Sequence, residues 1–216
     1  MEIYSNIHMI SGLASKQYLI IDSGGIILID AGLPRGYKKI VTYMNKLGYP
    51  LTKLQQILIT HADGDHYGGV NGLKNFNQSV IVRSSNIEAR AMEKGVSSRT
   101  IAPKGLLGLF FKMASKIIRS DPTEVIGDLS PGMELQIMGG LEVLDTSGHT
   151  PGHLSFYLKV HGILFAGDSI LVHGNDLVPS TGANTWDLEK ARIAFHKQLA
   201  LDPGIIAGGH GMLKRK

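Results

Sequence analysis

The chain has 216 residues with 22 Lys plus Arg against 18 Asp plus Glu, a formal charge of +4, and nine histidines outside that count. Cysteine is absent, which excludes a disulfide framework, thiolate-ligated zinc, an iron–sulfur cluster and a catalytic thiol, so any metal must be held by His, Asp or Glu. A hydrophobic share of 43% against 19% charged is that of a folding chain, and the 27 glycines, one residue in eight, exceed the usual share of about 7% and imply many tight turns.

The first twenty residues lack a basic segment ahead of an apolar run and a small-residue cleavage pattern, so a cytoplasmic protein is expected. From Tyr18 to Asp30 two β-rich runs flank Asp22-Ser23-Gly24-Gly25, a hairpin signal. Ile40, Tyr43, Met44 and Leu47 recur at helical spacing until Gly48 and Pro50 stop the run. Gln56 to Thr60 is a short apolar strand, Ser79 to Arg83 another, and Ser85 to Lys94 reads as helix. Between Pro103 and Arg119, leucines, phenylalanines and isoleucines mix with Lys104, Lys112, Lys116 and Arg119. The stretch is too short and too charged to span a bilayer, which needs about 20 mostly apolar residues. It reads either as a helix that covers the core or roofs a pocket, or as a basic amphipathic surface, over 104–119, that touches lipid weakly or accepts an apolar substrate chain. The second half returns to strands at 133–137, 141–146, 154–160 and 163–166. A helix follows over 187–199, with Thr185 or Asp187 as N-cap, and a last strand over 204–207 leads into Gly-Gly-His-Gly. Two halves of similar plan without a linker predict one α/β domain, 1–216, with two sheets inside and helices outside, and a cap or pocket-lining insertion near 100–125.

Five histidines lie in or beside glycine-containing breaks that follow predicted strands: His61, His66, His149, His153 and His210. Strand ends meeting at one edge of a sandwich would gather them, and buried His and Asp side chains are costly unless paired or bound to a cation. The break His61-Ala62-Asp63-Gly64-Asp65-His66 offers four ligand-type side chains in six residues. In extended backbone His61, Asp63 and Asp65 would project to one side. Two adjacent ions explain that density better than one.

The break HADGDH, then SGHTPGH at 147–153, FAGDS at 165–169 and GGHG at 208–211, with Asp30 in an Asp-x-Gly position, together resemble the ordered motifs of the metallo-β-lactamase-fold superfamily. That resemblance implies a four-layer αββα sandwich with two mixed β-sheets inside and helices on both outer faces. It implies that His61 and His149 bind a first metal, that Asp65, His66 and His210 bind a second, and that Asp168 bridges them. It further implies hydrolysis by a metal-bridging hydroxide, oriented by Asp65 as the catalytic residue. Residue 63 departs from the pattern, in which a second histidine stands where this chain has Asp63. Asp63, Asp65 and Asp168 bring about −3, which two divalent ions and one hydroxide offset to about zero. The added hard oxygen ligand should shift preference from zinc towards iron or manganese, with zinc still admissible.

SGHTPGH looks more like glyoxalase-II-type thioesterases and acyl-homoserine lactonases than secreted β-lactamases, although only Gly211–Lys216 follow the last expected ligand, His210, and glyoxalase II carries a further helical region. A lactone or thioester with an apolar tail is therefore the expected small-molecule substrate. A phosphodiesterase or nuclease is the alternative suggested by a pI near 9.2 and by Lys214-Arg215-Lys216. With an excess charge of only +4, nucleic acid is not the expected partner. An iron-dependent oxygen-using enzyme and a non-catalytic metal-binding module are further readings. His153 is expected to support rather than ligate, and His8, His161, His173 and His196 to be surface or packing residues. The sequence assigns no oligomeric state.

Overall fold

The computed structural model describes residues 1–99 and 120–215. Its first sheet has six strands in spatial order: β1 (Glu2–Tyr4), β2 (Ile7–Ser11), β3 (Lys16–Asp22), β4 (Gly25–Ile29), β5 (Leu54–Leu58) and β6 (Ile81–Arg83). Its first four strands are antiparallel, and β4, β5 and β6 are parallel. The second sheet also has six strands, β7 (Glu134–Leu135), β8 (Leu141–Asp145), β9 (Leu154–Leu158), β10 (Ile163–Gly167), β13 (Ile205–Gly208) and β14 (Met212–Lys214), with β10 and β13 parallel. Between β10 and β13 the chain forms a separate hairpin, β11 (Ile170–His173) with β12 (Asp176–Pro179).

Alternation along β4 shows how the layers arise. Ile27 and Ile29 point between the sheets, where they meet Phe156, Leu158, Ile163 and Phe165 of the second sheet. Ile26 and Leu28 point the other way, onto Ile40 and Met44 of helix α1 (Tyr37–Lys46). Side chains two apart share a face, so one uninterrupted run of Ile and Leu fills two cores. On the far side of the second sheet Tyr157, Leu164, Ala166 and Ile206 bury Phe195 of the last helix, α5 (Leu188–Leu199). Each fully buried Leu, Ile or Phe contributes on the order of 2 kcal/mol. The order helix, sheet, sheet, helix is the expected four-layer αββα sandwich.

The short helices α2 (Gly64–Tyr67), α3 (Val70–Lys74) and α4 (Asn86–Met92) follow β5 and β6 on the first sheet's outer side. Asp187 is the N-cap of α5, its carboxylate accepting from the backbone N–H groups of Glu189 and Lys190. Strands β1, β2, β11, β12 and β14 lie outside the predicted elements, and the expected strand over 133–137 contracts to β7. There the Ile137 N–H turns back onto the Leu135 carbonyl at 2.8 Å and Met138 takes a φ of 47°, which ends the ladder. Of the expected cap, 100–119 lie outside the described residues. Within 120–125, Val125 is buried in the core on the first sheet's outer side and the Ser120 hydroxyl donates to the Gly64 carbonyl.

Strands β4, β5, β8, β10 and β13 each end just before Asp30, His61, His149, Asp168 or His210. Because β4 and β5 run parallel, and β8, β10 and β13 share one direction within the second sheet, each sheet delivers its polar residues at a single edge.

Candidate metal centre

The gathered side chains form two overlapping groups around Asp168. In the first, His149 Nε2 lies 3.2 Å from Asp63 Oδ2 and 3.6 Å from Asp168 Oδ2, and His61 Nε2 lies 3.5 and 4.0 Å from the same two atoms. In the second, Asp168 Oδ1 lies 3.3 Å from His66 Nε2 and Asp168 Oδ2 lies 3.0 Å from His210 Nε2. Asp65 Oδ2 completes this group at 3.7 and 3.8 Å from the same two nitrogens. Ligand atoms about 2.0–2.2 Å from one ion stand roughly 3–4 Å from each other, which is the spacing seen in both groups. All seven residues singled out in the sequence are thus brought together. Their backbone differs from the expected alternating strand, since Asp63 is the extended residue before α2 while Asp65 and His66 lie within it.

The imidazoles are set for metal by their outer nitrogens. His66 Nδ1 donates to Asp30 Oδ2 at 2.8 Å. The Thr60 hydroxyl donates to the same carboxylate, so at His61 it must accept from Nδ1–H, 2.9 Å away. His149 Nδ1 pairs with Ser180 Oγ at 2.7 Å, and His210 Nδ1 donates to the Ala14 carbonyl at 2.9 Å. A neutral imidazole with its proton on Nδ1 turns a bare Nε2 lone pair to the other side, so in that form the four rings would aim four lone pairs at the place the three carboxylates surround. Among the described residues the buried side-chain polar atoms without a hydrogen-bond partner are Gln56 Oε1, His61 Nε2, His66 Nε2 and Asp168 Oδ1. Three of these four belong to the groups around Asp168, where a cation would satisfy them. The donor set therefore fits one or two divalent ions.

Burial pushes the Asp63 and Asp168 carboxyls up, but the His149 and His61 imidazoles beside Asp63, and His66 beside Asp168, hold both well below the usual range. At His66 burial works against protonation, yet Asp168, Asp65 and Asp30 raise its pKa well above the ordinary value. His210 is raised chiefly by its hydrogen bond to Asp168. The negative field that draws protons to these two rings is the one that would draw a cation. His153 has no free nitrogen: Nε2 accepts from the Asp168 backbone N–H at 3.1 Å and Nδ1 pairs with Thr146 Oγ1 at 2.8 Å. Burial and the neighbouring His61 and His149 push its pKa well down, so it stays neutral and fixes the peptide of Asp168.

Two glycines allow this convergence. A Cβ on Gly209 would meet Asp168 Oδ1 at 2.1 Å and His66 Cε1 at 2.7 Å, and one on Gly148 would strike the Ala191 backbone at 2.4 Å, where α5 lies against the His149 loop. Asp30 adopts a left-handed φ of 58°, a strain of about 1–3 kcal/mol in a non-glycine residue that its bonds to Thr60 and His66 maintain. Asp30→Asn should lower metal affinity about 10–100-fold, because the amide cannot accept from both neighbours; unchanged occupancy after dialysis against a competing chelator would refute this.

Three residues outside the sequence motifs complete the surroundings. Glu88 of α4 is fully buried, and its carboxylate accepts from the backbone N–H of Ala62 and Gly152 and the hydroxyls of Thr150 and Ser98. Ser97 donates to Asp63 Oδ1 at 2.8 Å. Arg99 reaches Asp63 Oδ2 at 2.6 Å and His149 Nε2 at 2.7 Å. Elsewhere, His8 pairs with Tyr43, His161 with the Met138 carbonyl, and His173 and His196 are exposed.

A sequence profile described as the metallo-beta-lactamase superfamily matches residues 10–210. An uncharacterized Bacillus subtilis protein, YobT, is 32% identical over 208 residues, covering 92% of this chain and 83% of its own. An atrochrysone carboxyl ACP thioesterase of Aspergillus chevalieri is 30% identical over 179 residues, covering 81% of this chain and 46% of its own. Among solved structures, a metallo-beta-lactamase family protein from Thermus thermophilus superimposes with a TM-score of 0.75 at 21% identity, covering 99% of this chain and 76% of that one.

Proposed function

Because the chain belongs to the metallo-beta-lactamase superfamily, we propose that it hydrolyses an ester-type bond, a lactone or thioester of a small molecule, at a dinuclear metal site. The observation that carries this reading is Asp168, whose two oxygens face both groups of Nε2 lone pairs. His61, Asp63 and His149 would hold one ion and Asp65, His66 and His210 the other. Bound divalent ions would supply Lewis acidity towards the acyl oxygen and an activated water. Within the chain, Asp30 and Thr60 fix the ring orientation of His66 and His61, and His153 fixes the peptide that presents Asp168. Asp65, 22% exposed beside His210 at 40%, stands where a water could reach it and would orient the nucleophile. The thioesterase relative supports an acyl substrate over a phosphodiester. A cytoplasmic setting remains part of the proposal, and no helix among the described residues is long and apolar enough to cross a membrane.

The test is metal analysis of the purified protein followed by a panel of lactones, acyl thioesters, β-lactams and phosphodiesters. Turnover of a lactone or thioester is the expected result, and hydrolysis confined to phosphodiesters would replace the proposal by its nuclease alternative. Asp63 further favours iron or manganese over zinc. Asp63→His should move the bound metal towards zinc, as read by elemental analysis of both proteins expressed in the same medium. Two zinc ions and full activity in the unaltered chain would overturn that preference.

A further inference from the structure

We infer that Arg99 competes with a divalent ion for the group formed by His61, Asp63 and His149, so that the group formed by Asp65, His66 and His210 fills first. The inference rests on the metal-dependent reading above. His149 has one lone pair to give: its Nδ1 is engaged with Ser180 Oγ at 2.7 Å, and its Nε2 accepts from Arg99 Nη1 at 2.7 Å. A neutral imidazole nitrogen cannot serve a guanidinium proton and an ion together. The second arm of the same guanidinium pairs with Asp63 Oδ2 at 2.6 Å, the oxygen nearest His149 Nε2 and His61 Nε2. Arg99 thus bridges the two atoms that an ion in this group would bridge, and it brings one positive charge to the carboxylate by which this chain departs from the histidine pattern.

The pair is sheltered enough to matter. The Arg99 side chain is 11% exposed and that of Asp63 13%, so solvent and salt screen this contact less than a surface ion pair. Its neighbour Ser98 is tied to buried Glu88 and Ser97 to the other oxygen of Asp63, which holds the segment that presents Arg99. In the second group, Asp65, His66, His210 and the oxygens of Asp168 have no arginine among their described partners. An ion entering the first group must therefore displace Arg99, and its apparent affinity falls by the fraction of time the guanidinium is away.

The experiment is a titration of the metal-stripped full chain with Mn²⁺, free ion being read by electron paramagnetic resonance. Two steps are expected, and in Arg99→Ala the weaker should tighten about ten- to a hundred-fold while the stronger moves less than about twofold. Should Arg99→Ala fail to fold, Arg99→Gln keeps the bulk without the charge and reads the same step. A weaker step that stays put or loosens would overturn the inference, as would equal tightening of both steps, which marks a general charge effect. Turnover is no part of this readout. A protein that loads ions in this order yet hydrolyses no ester would defeat the functional proposal and leave the competition standing.

Discussion

Asp168→Asn should abolish turnover, by at least about 10³-fold, and leave the fold in place. The lower bound comes from a milder change: loss of an outer partner of a metal-binding histidine already costs about 10–100-fold in affinity or activity, and Asp168 faces both groups itself. Its Oδ1 and Oδ2 lie within 4.0 Å of His61, His66, His149 and His210, so one substitution would weaken the hold on both of the proposed ions. Asparagine keeps the shape and the backbone N–H that His153 accepts, and the second sheet should survive. Elemental analysis should show less than half the metal of the unaltered protein with an unchanged far-ultraviolet circular dichroism spectrum. Retention of both ions would remove Asp168 from the centre of the site.

The ligand-type residues were legible because each announces itself locally, as a His or Asp in or beside a glycine-containing break that follows an apolar strand. The sheets were legible where a strand is buried on both faces, as with Gly25–Ile29, since a run of Ile and Leu bounded by Asp22-Ser23-Gly24 has little alternative. Strands at the margins were not. Ile7–Ser11 carries His8 in mid-run, and His8 is buried against Tyr43 of α1, a partner 35 residues away that no local pattern reveals. Met212–Lys214 is an edge strand of three residues, and β12 ends on Pro179, which argues against a strand. The same division runs through the site. Asp30 could be placed by its motif, but its control of two histidines depends on Thr60 and His66 folding onto it. Ser85 begins the stretch read as helix, and its hydroxyl caps α4 by accepting from the Glu88 N–H. The carboxylate goes elsewhere, to donors 26 and 64 residues distant in Ala62 and Gly152.

That carboxylate carries the largest expected effect on stability. Ala62 lies in the HADGDH break and Thr150 and Gly152 in SGHTPGH, so Glu88 ties together the loops of His61, Asp63 and His149, while its bond to Ser98 positions the segment of Arg99. Glu88→Ala leaves two backbone N–H groups and two hydroxyls without their acceptor in a fully buried place. At about 1–3 kcal/mol for each donor left unpaired, and with water recovering part of it, the loss should be on the order of 4 kcal/mol. In a chain of this size that lowers the melting temperature by roughly 10 °C. Glu88→Gln keeps one oxygen to accept from Ser98, Thr150 and Gly152 but sets its NH₂ against the Ala62 N–H, so it should cost about half as much. Because the strut holds the first group of ligands and leaves Asp65, His66 and His210 to other supports, Mn²⁺ affinity in Glu88→Gln should fall at one step of the titration and hold at the other. Equal loss at both steps would reduce Glu88 to a general stabiliser, and a Glu88→Ala protein melting within about 2 °C of the unaltered chain, well inside the shift expected, would show that the loops are held by something else.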